Sequence, residues 1–429
     1  MSNKEVRAIY ESPPTGYKQT EVGVIPEDWE VIDYESMGII IDGDRGANYP
    51  SGNDLKHNGD CMFLNAGNVT KDGFRFNNCE FITFEKDRKL SNGKLKREDV
   101  VLTTRGTVGN FAYYNTLVPF DNIRINSGMV IMRNDSTNVN TSYQYLLMKS
   151  HIGKLQIKQL SFGSAQPQLT VKGISKLKIP LPPTIEEQTA IATALSDADV
   201  LILSLEKLIT KKNAIKQGAM QRLFKPKEGW VAKRLGEMGS PYGGLAGKSI
   251  NDFHDGTYPY IPFMNIMSNT IIDTTYFDFV SLKPGENQNT AQKGDLFFNG
   301  SSETPDEVGM CSVLLDDIPN LYLNSFCFGF RLNKESQEDG LYLSYYFRSE
   351  LGRNLFFSLA QGATRYNLSK SNFLKLKILL PKPEEQTRIA TILSDIDAEI
   401  AALETKLAKY KQIKQGMMQN LLTGRIRLV

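Results

Sequence analysis

The chain has 429 residues, 41% of them apolar and 23% charged, and 50 Lys and Arg against 48 Asp and Glu leave a formal net charge of +2. At roughly 100–200 residues per domain this is about two to four globular domains. It excludes a disordered, fibrous or collagen-like protein and a uniformly basic chromatin-type binder, but not a basic cleft on a mixed surface.

In chain order, an extension (1–22) precedes Gly23-Val24-Ile25-Pro26-Glu27-Asp28-Trp29 and a first block, 23–181. Within it CMFLNAGNV, DVVLTTRG, NFAYYN and GMVIMRN are β-branched and aromatic runs bounded by Gly, Asn and Asp, which predicts short strands, with helix around Ser142–Gln159. A long helix is expected over 182–224, and a second block over 225–381 has DLFFNG, MCSVLL and FCFGFRL in comparable places, with helix around Leu341–Ala360. A second long helix over 382–424 and a tail, 425–429, close the chain. Each block reads as a compact α+β domain. No run of about 18 apolar residues and no secretory h-region occur, so a cytoplasmic location is expected. Cys61, Cys79, Cys311 and Cys327 form no C-x-x-C pair and His57, His151 and His254 are scattered, which predicts reduced thiols and no metal site.

The two long helices are copies of each other. Glu186–Phe224 and Glu384–Leu422 align without gaps and share 22 of 39 residues. Weaker anchors precede them: Trp29–Gly38 with Trp230–Gly239, Asn126-Ser127 with Asn324-Ser325, Arg133 with Arg331, and Leu177–Ile179 with Leu376–Ile378. Between anchors the sequences diverge, as in Ala47–Gly73 against Leu245–Asp273. Thr184 is placed as an N-cap, with Glu186 and Glu187 in the first turn where the helix dipole favours anions. Ile389, Leu393, Ile396, Ile400, Leu403, Leu407 and Tyr410 follow heptad a/d spacing, and Ile191, Leu195, Ala198, Ile202, Leu205 and Ile209 keep the same register. Lys212 and Lys216 then fall on the seam, which should loosen or shift there. Such a helix alone exposes a long apolar stripe, and its natural cover is its own duplicate.

No catalytic motif emerges. Gly247-Lys248-Ser249 ends like a phosphate loop, but the glycine required five positions earlier is Tyr242. The chain has no G-x-G-x-x-G and no adenine-methyltransferase tetrapeptide. Pro305-Asp306 has no following acidic-x-Lys triplet, and no Ser or Cys has a suggested His partner.

What remains is binding. A Gly-centred polar stretch precedes each long helix: Gly163-Ser164-Ala165-Gln166-Pro167-Gln168-Leu169 and Gly362-Ala363-Thr364-Arg365-Tyr366-Asn367-Leu368. Gln and Asn make paired hydrogen bonds to adenine, and Arg to guanine. Gln166, Gln168, Arg365 and Asn367 are therefore candidate base readers, and Ser164, Thr364 and Tyr366 on the same stretches are candidate DNA contacts. Arg45, Lys71, Arg75, Arg105, Arg124 and Lys158 in the first block, and Lys248 and Arg353 in the second, are candidate phosphate contacts.

These residues lie in a chain that resembles the specificity subunits of type I restriction-modification enzymes. The opening Gly23–Trp29 is similar to their G-x-I-P-x-x-W. Pro182–Gln188, Ile215–Gly218, Ile413–Gly416 and Leu421–Gly424 are similarly typical, and the resemblance covers essentially the whole chain. It implies an α+β fold: two pseudo-symmetric α/β target-recognition domains separated by two long helices packed as an antiparallel coiled coil. Each domain would read one half of a bipartite double-stranded DNA target from the major-groove side, the coiled coil setting the spacer. Two modification subunits carrying S-adenosylmethionine would dock on the helices, and two restriction subunits would add ATP- and Mg-dependent translocation and cleavage. The chain itself would be non-catalytic and hold no cofactor. One departure is Lys227-Glu228-Gly229-Trp230, where the second block lacks the G-x-I-P part. Two other readings remain open at this point: the specificity chain of a type IIB-like system, and a coiled-coil scaffold with two protein-binding domains.

Overall fold

A computed structural model describes residues 13–161, 168–253, 256–360, 362 and 365–428. The duplicated segments are single helices of 39 residues each, the central helix Ile185–Leu223 and the terminal helix Pro383–Leu421. The Thr184 hydroxyl accepts from the Glu187 amide at 3.2 Å and so caps the first. The second begins on Pro383, where a missing amide proton costs nothing. Two compact units result: unit 1 takes the chain up to Leu205 together with everything from Lys406, and unit 2 takes Glu206–Thr405.

In unit 1, Phe111–Tyr113, Val100–Thr103, Met129–Asn134 and Gly38–Asp42 form, in that order, a four-stranded antiparallel sheet. A second sheet pairs Cys61–Leu64 parallel to Ile123–Ile125 and antiparallel to Phe81–Ile82. A ribbon of Glu30–Asp33 with Lys178–Leu181 leads into the central helix.

Unit 2 repeats all three. Its four-stranded sheet runs Cys311–Val313, Leu296–Asn299, Cys327–Leu332, Gly239–Gly243, and Tyr258–Ile261 pairs parallel to Tyr322–Leu323 and antiparallel to Asp278–Val280. Val231–Arg234 with Lys377–Leu380 supplies the ribbon. The duplication therefore runs through blocks whose sequences differ, because a strand buried on both faces, as Val100–Thr103 and Leu296–Asn299 are, needs side chains that pack rather than particular ones. One polar feature is kept in both: Arg133 grips Asp99 through two bonds of 2.8 and 2.7 Å, and Arg331 grips Asp295 through two of 2.8 and 2.6 Å.

The expected helical stretches each split in two, Thr141–Lys149 with His151–Leu160, and Gly340–Arg348 with Glu350–Phe357. Ser150 and Ser349 cap the second helix of each pair, accepting from the amides of Ile152 at 3.1 Å and Gly352 at 3.3 Å. A Cβ on Gly153 or Gly352 would lie 2.2 Å from the Met148 carbonyl oxygen or 2.3 Å from that of Tyr346, so only glycine lets the chain turn back this closely.

Within each unit the long helices run antiparallel. In unit 1 the buried Ile191 and Leu195, from the start of the central helix, share one core with Trp29, Tyr143 and Leu147 and with Leu421 and Leu422, from the end of the terminal helix. In unit 2 Ile389 and Leu393 share a core with Phe224, Tyr342 and Phe356, against which Ala219 and Met220 pack. The first seam residues thus seal the core of each unit as well as the helix pair. Ile202, Leu205 and Ile400 are also buried, whereas Ile209, Ile396, Leu403, Leu407 and Tyr410 are half-buried. At the point where loosening is expected, Lys212 meets Glu399 at 2.6 Å and Lys216 meets Asp397 at 2.5 Å. Unit 1 repeats the second of these pairs with Lys414 and Asp199. Ion pairs therefore continue the seam where apolar contact ends. By length and composition alone the central helix is apolar enough to cross a membrane, but its buried Ile191, Leu195, Ile202 and Leu205 are used in protein packing.

The Leu421–Gly424 motif has a local cause. Gly424 has φ of +67°, and a Cβ there would lie 2.4 Å from the Pro26 ring. Tyr17 donates its hydroxyl to the Gly424 carbonyl at 3.1 Å. Arg427, beyond it, bonds Asp28 at 3.0 and 3.1 Å and reaches the buried Glu187 at 2.7 Å.

Candidate nucleic-acid interface

In unit 1 three loops meet at one corner of the four-stranded sheet. The hairpin after Val100–Thr103 is tied to the Asn126–Gly128 turn, the amides of Thr104 and Arg105 donating to the Gly128 carbonyl at 2.8 and 3.2 Å. The Asn126 side chain closes that turn by accepting from the Gly128 amide at 2.9 Å. The end of the polar loop joins through the Leu169 amide, which donates to the Thr104 carbonyl at 3.1 Å. Three predicted residues converge here. Arg45 donates to the Ser127 carbonyl at 3.3 Å and pairs with Asp42 at 3.1 Å. With its amide oxygen turned toward Arg105, Gln168 accepts from Nε at 3.2 Å and Nη2 at 2.9 Å. Arg45, Arg105 and Gln168 are all exposed.

Unit 2 builds the same corner from other residues. The Gly300 amide donates to the Phe326 carbonyl at 2.9 Å, the Asn324 side chain accepts from the Phe326 amide at 2.9 Å, and the Leu368 amide donates to the Gly300 carbonyl at 2.9 Å. Tyr366 and Asn367 pair as a strand with Ser302 and Ser301. Arg365 and Asn367 are exposed, Tyr366 is half-buried, and the Arg365 guanidinium lies 5.4 Å over the Phe326 ring. Thr104, Gly128 and Leu169 thus correspond to Gly300, Phe326 and Leu368. The backbone scaffold is shared and the side chains it presents are not.

The family model for the type I restriction modification DNA specificity domain matches residues 26–217 and again 227–415. The chain belongs to this family. The specificity subunit is 26% identical over 460 residues to the putative type I restriction enzyme MjaX specificity subunit of Methanocaldococcus jannaschii, covering 96% of this chain and 97% of that one. It is 22% identical over 433 residues to the EcoKI specificity subunit of Escherichia coli K12, covering 94% and 90%. Among solved structures, the specificity (S) subunit from M. genitalium matches with a TM-score of 0.56 at 15% identity, covering 92% of this chain and 96% of that one. A chain from work on complex assembly and conformational transition of the type I R-M system matches at 0.58 and 17%, covering 94% and 99%. The chain is thus a type I specificity subunit with two recognition domains, one per unit.

The other predicted residues of this specificity subunit lie elsewhere. Lys71 and Arg75 are exposed on and beside the Val69–Phe74 hairpin, which Asn110 ties to the sheet by donating to the Val69 carbonyl at 3.0 Å. Lys158 is exposed on helix His151–Leu160. Ser164, Gln166 and Thr364 lie outside the described residues. Three expected phosphate contacts are corrected. Arg124 is buried and donates to Asp87 at 2.8 Å; burial raises the Asp87 pKa, but Lys94 and Arg124 together outweigh it and hold that carboxyl below its ordinary value. The Lys248 ammonium is buried between Glu286 at 2.6 Å and the Ser281 carbonyl at 2.8 Å. Arg353 donates to the carbonyls of Asp306, at 2.8 Å, and Val308, and burial pushes its guanidinium below the ordinary arginine value. These cations hold the domains together and do not face outward. Asp306 and Glu307 lie in a single 3-10 turn, Pro305–Glu307, with Glu307 accepting from the Ser302 hydroxyl at 2.9 Å. Sequence reasoning missed Phe326, although its neighbours Asn324-Ser325 were visible as a repeat of Asn126-Ser127.

Proposed function

We propose that each recognition domain reads one half of a bipartite DNA target through its three-loop corner. Arg45, Arg105 and Gln168 would serve the first half-site, and Arg365 and Asn367 the second, with Lys71, Arg75 and Lys158 on phosphates. The observation that carries this is the corner itself, one backbone scaffold built twice and furnished with different hydrogen-bonding side chains. A fixed frame with exchangeable residues lets specificity change while everything else stays constant. The antiparallel helices would set the spacer between half-sites.

The same helices would dock the modification subunits, two of them, one on each copy of a repeated surface. Gln217, Gln221 and Ile215 recur as Gln415, Gln419 and Ile413, all exposed. Gly218 and Gly416 each lie five residues before the end of their helix, and among the described residues a Cβ added to either would meet nothing within 4 Å. A helical glycine costs about 1 kcal/mol against alanine, and no neighbour among the described residues requires it. A partner's close approach supplies the reason. Two restriction subunits would complete the assembly, in the cytoplasm. S-adenosylmethionine, ATP and Mg would sit on the partners, leaving this chain the non-catalytic reader. The test is a block exchange: replacing Trp230–Lys375 by the equivalent block of a relative and mapping methylated adenines in the host should change one half of the sequence only. A change in both halves refutes the two-reader assignment.

A further inference from the structure

We infer that Phe326 is a specificity-determining residue of the second recognition domain, its ring positioning the Arg365 guanidinium toward a base edge. The inference rests on the DNA-reading function above and adds to it a residue and a mode of action.

Phe326 is 55% exposed, unusual for a phenylalanine, yet its backbone is fixed on both sides. Its amide is held by the Asn324 side chain and its carbonyl by the Gly300 amide, both at 2.9 Å. The ring therefore has a set place on the corner, while packing leaves its face open. Arg365 covers that face at 5.4 Å from the ring centre. A guanidinium held over an aromatic ring by its charge keeps N–H groups free, and those groups can make the paired bonds to guanine O6 and N7. An arginine on a loop samples many rotamers, and stacking removes the ones that turn the fork away. Unit 1 solves the same problem differently. The position equivalent to Phe326 is Gly128, and the corner arginine, Arg105, comes from the hairpin with Gln168 beside it. The aromatic platform is thus specific to one reader, as expected of a residue that distinguishes two half-sites rather than one that supports the fold.

The test uses the complete complex, this chain with its modification and restriction subunits, in competition binding against duplexes substituted one base pair at a time. R365A should abolish preference at one G·C pair of the second half-site. F326L should lower discrimination at that same pair about two- to five-fold, the range for an exposed cation–π contact, and leave the first half-site and the salt dependence unchanged. F326W should retain wild-type discrimination. In the R365A background F326L should have no further effect, because Phe326 acts through Arg365. The inference is overturned if F326L leaves that pair unaffected, if its effect persists without Arg365, or if it weakens all duplexes alike. Failure of the underlying function looks different: the wild-type complex would then show no base preference at all.

Discussion

Replacing Asp397 by alanine removes the meeting point of three elements of unit 2. Asp397 lies 2.5 Å from the Lys216 ammonium and accepts from the Tyr345 hydroxyl at 2.8 Å. Tyr345 is 1% exposed, so its hydroxyl depends on the Asp397 carboxylate as its acceptor. Orphaning such a donor costs about 1–3 kcal/mol. The side chains of Lys216 and Asp397 are 22% and 31% exposed, so their ion pair adds up to about 1 kcal/mol. A total of about 1–4 kcal/mol in a unit of 200 residues, Glu206–Thr405, lowers Tm by roughly 2–16 °C. Asp397→Asn keeps an acceptor for Tyr345 and loses only the charge, so it should cost about 1 kcal/mol. Adding Tyr345→Phe to Asp397→Ala removes the orphaned group and should recover most of the loss. Scanning calorimetry of the purified chain reads all three. Equal destabilisation by Asp397→Ala and Asp397→Asn, or no recovery in the double variant, refutes the reasoning.

Arg124→Met should destabilise unit 1 by about 1.5–3 kcal/mol, the worth of hydrogen bonds to a charged group. It should leave the salt slope of DNA binding unchanged, whereas Lys158→Ala should reduce that slope by about one phosphate contact without altering Tm. Gly218→Ala with Gly416→Ala should stabilise the isolated chain by about 1 kcal/mol per site in thermal melts, yet weaken assembly with the modification subunits on size exclusion; intact assembly would remove the docking argument. Inserting one heptad after Leu205 and one after Leu403 lengthens the rod by about 10 Å. At about 3.4 Å per base pair the methylated sequence should keep its halves and gain one to three spacer positions, or binding should fail where rotational phase is lost. Methylation at the original spacing with full efficiency would refute a helical ruler.

The frame was legible because it rests on patterns with a period. Ile389 to Tyr410 show the seam, and β-branched or aromatic runs mark three of the four strands in each four-stranded sheet, all but the edge strands Gly38–Asp42 and Gly239–Gly243. The break at Ser150 was not, because apolar spacing continues through it and only the Ser cap with Gly153 close behind betrays the turn. The likeness of the two blocks was equally hidden. Arg133 and Arg331 stood out as anchors, but their partners Asp99 and Asp295 sit in the unlike turns Lys96–Asp99 and Gln292–Asp295. There Glu98 adopts φ of +74° where the other copy has Gly294 at +88°. For the site, a sequence displays charge but not its partner. Arg124 finds Asp87 at 37 residues' separation and Lys248 finds Glu286 at 38, which took both out of the surface. The polar loops before the helices were readable as a repeat, whereas Phe326 is unmatched in the other copy and so carried no signal of repetition.

The order of synthesis acts unequally on the two halves. Unit 2 is one uninterrupted stretch, Glu206–Thr405, and is complete once that stretch has left the ribosome. Unit 1 is emitted first and finished last: Trp29 and Ile191 wait for Leu421 and Leu422, and Asp28 and Glu187 wait for Arg427. During that delay its unsealed core is exposed to proteases and chaperones, and loop closure across some 200 intervening residues makes the last step slow. Truncation before Leu421 would therefore injure unit 1, whose core is encoded mostly far upstream, and leave unit 2 folded.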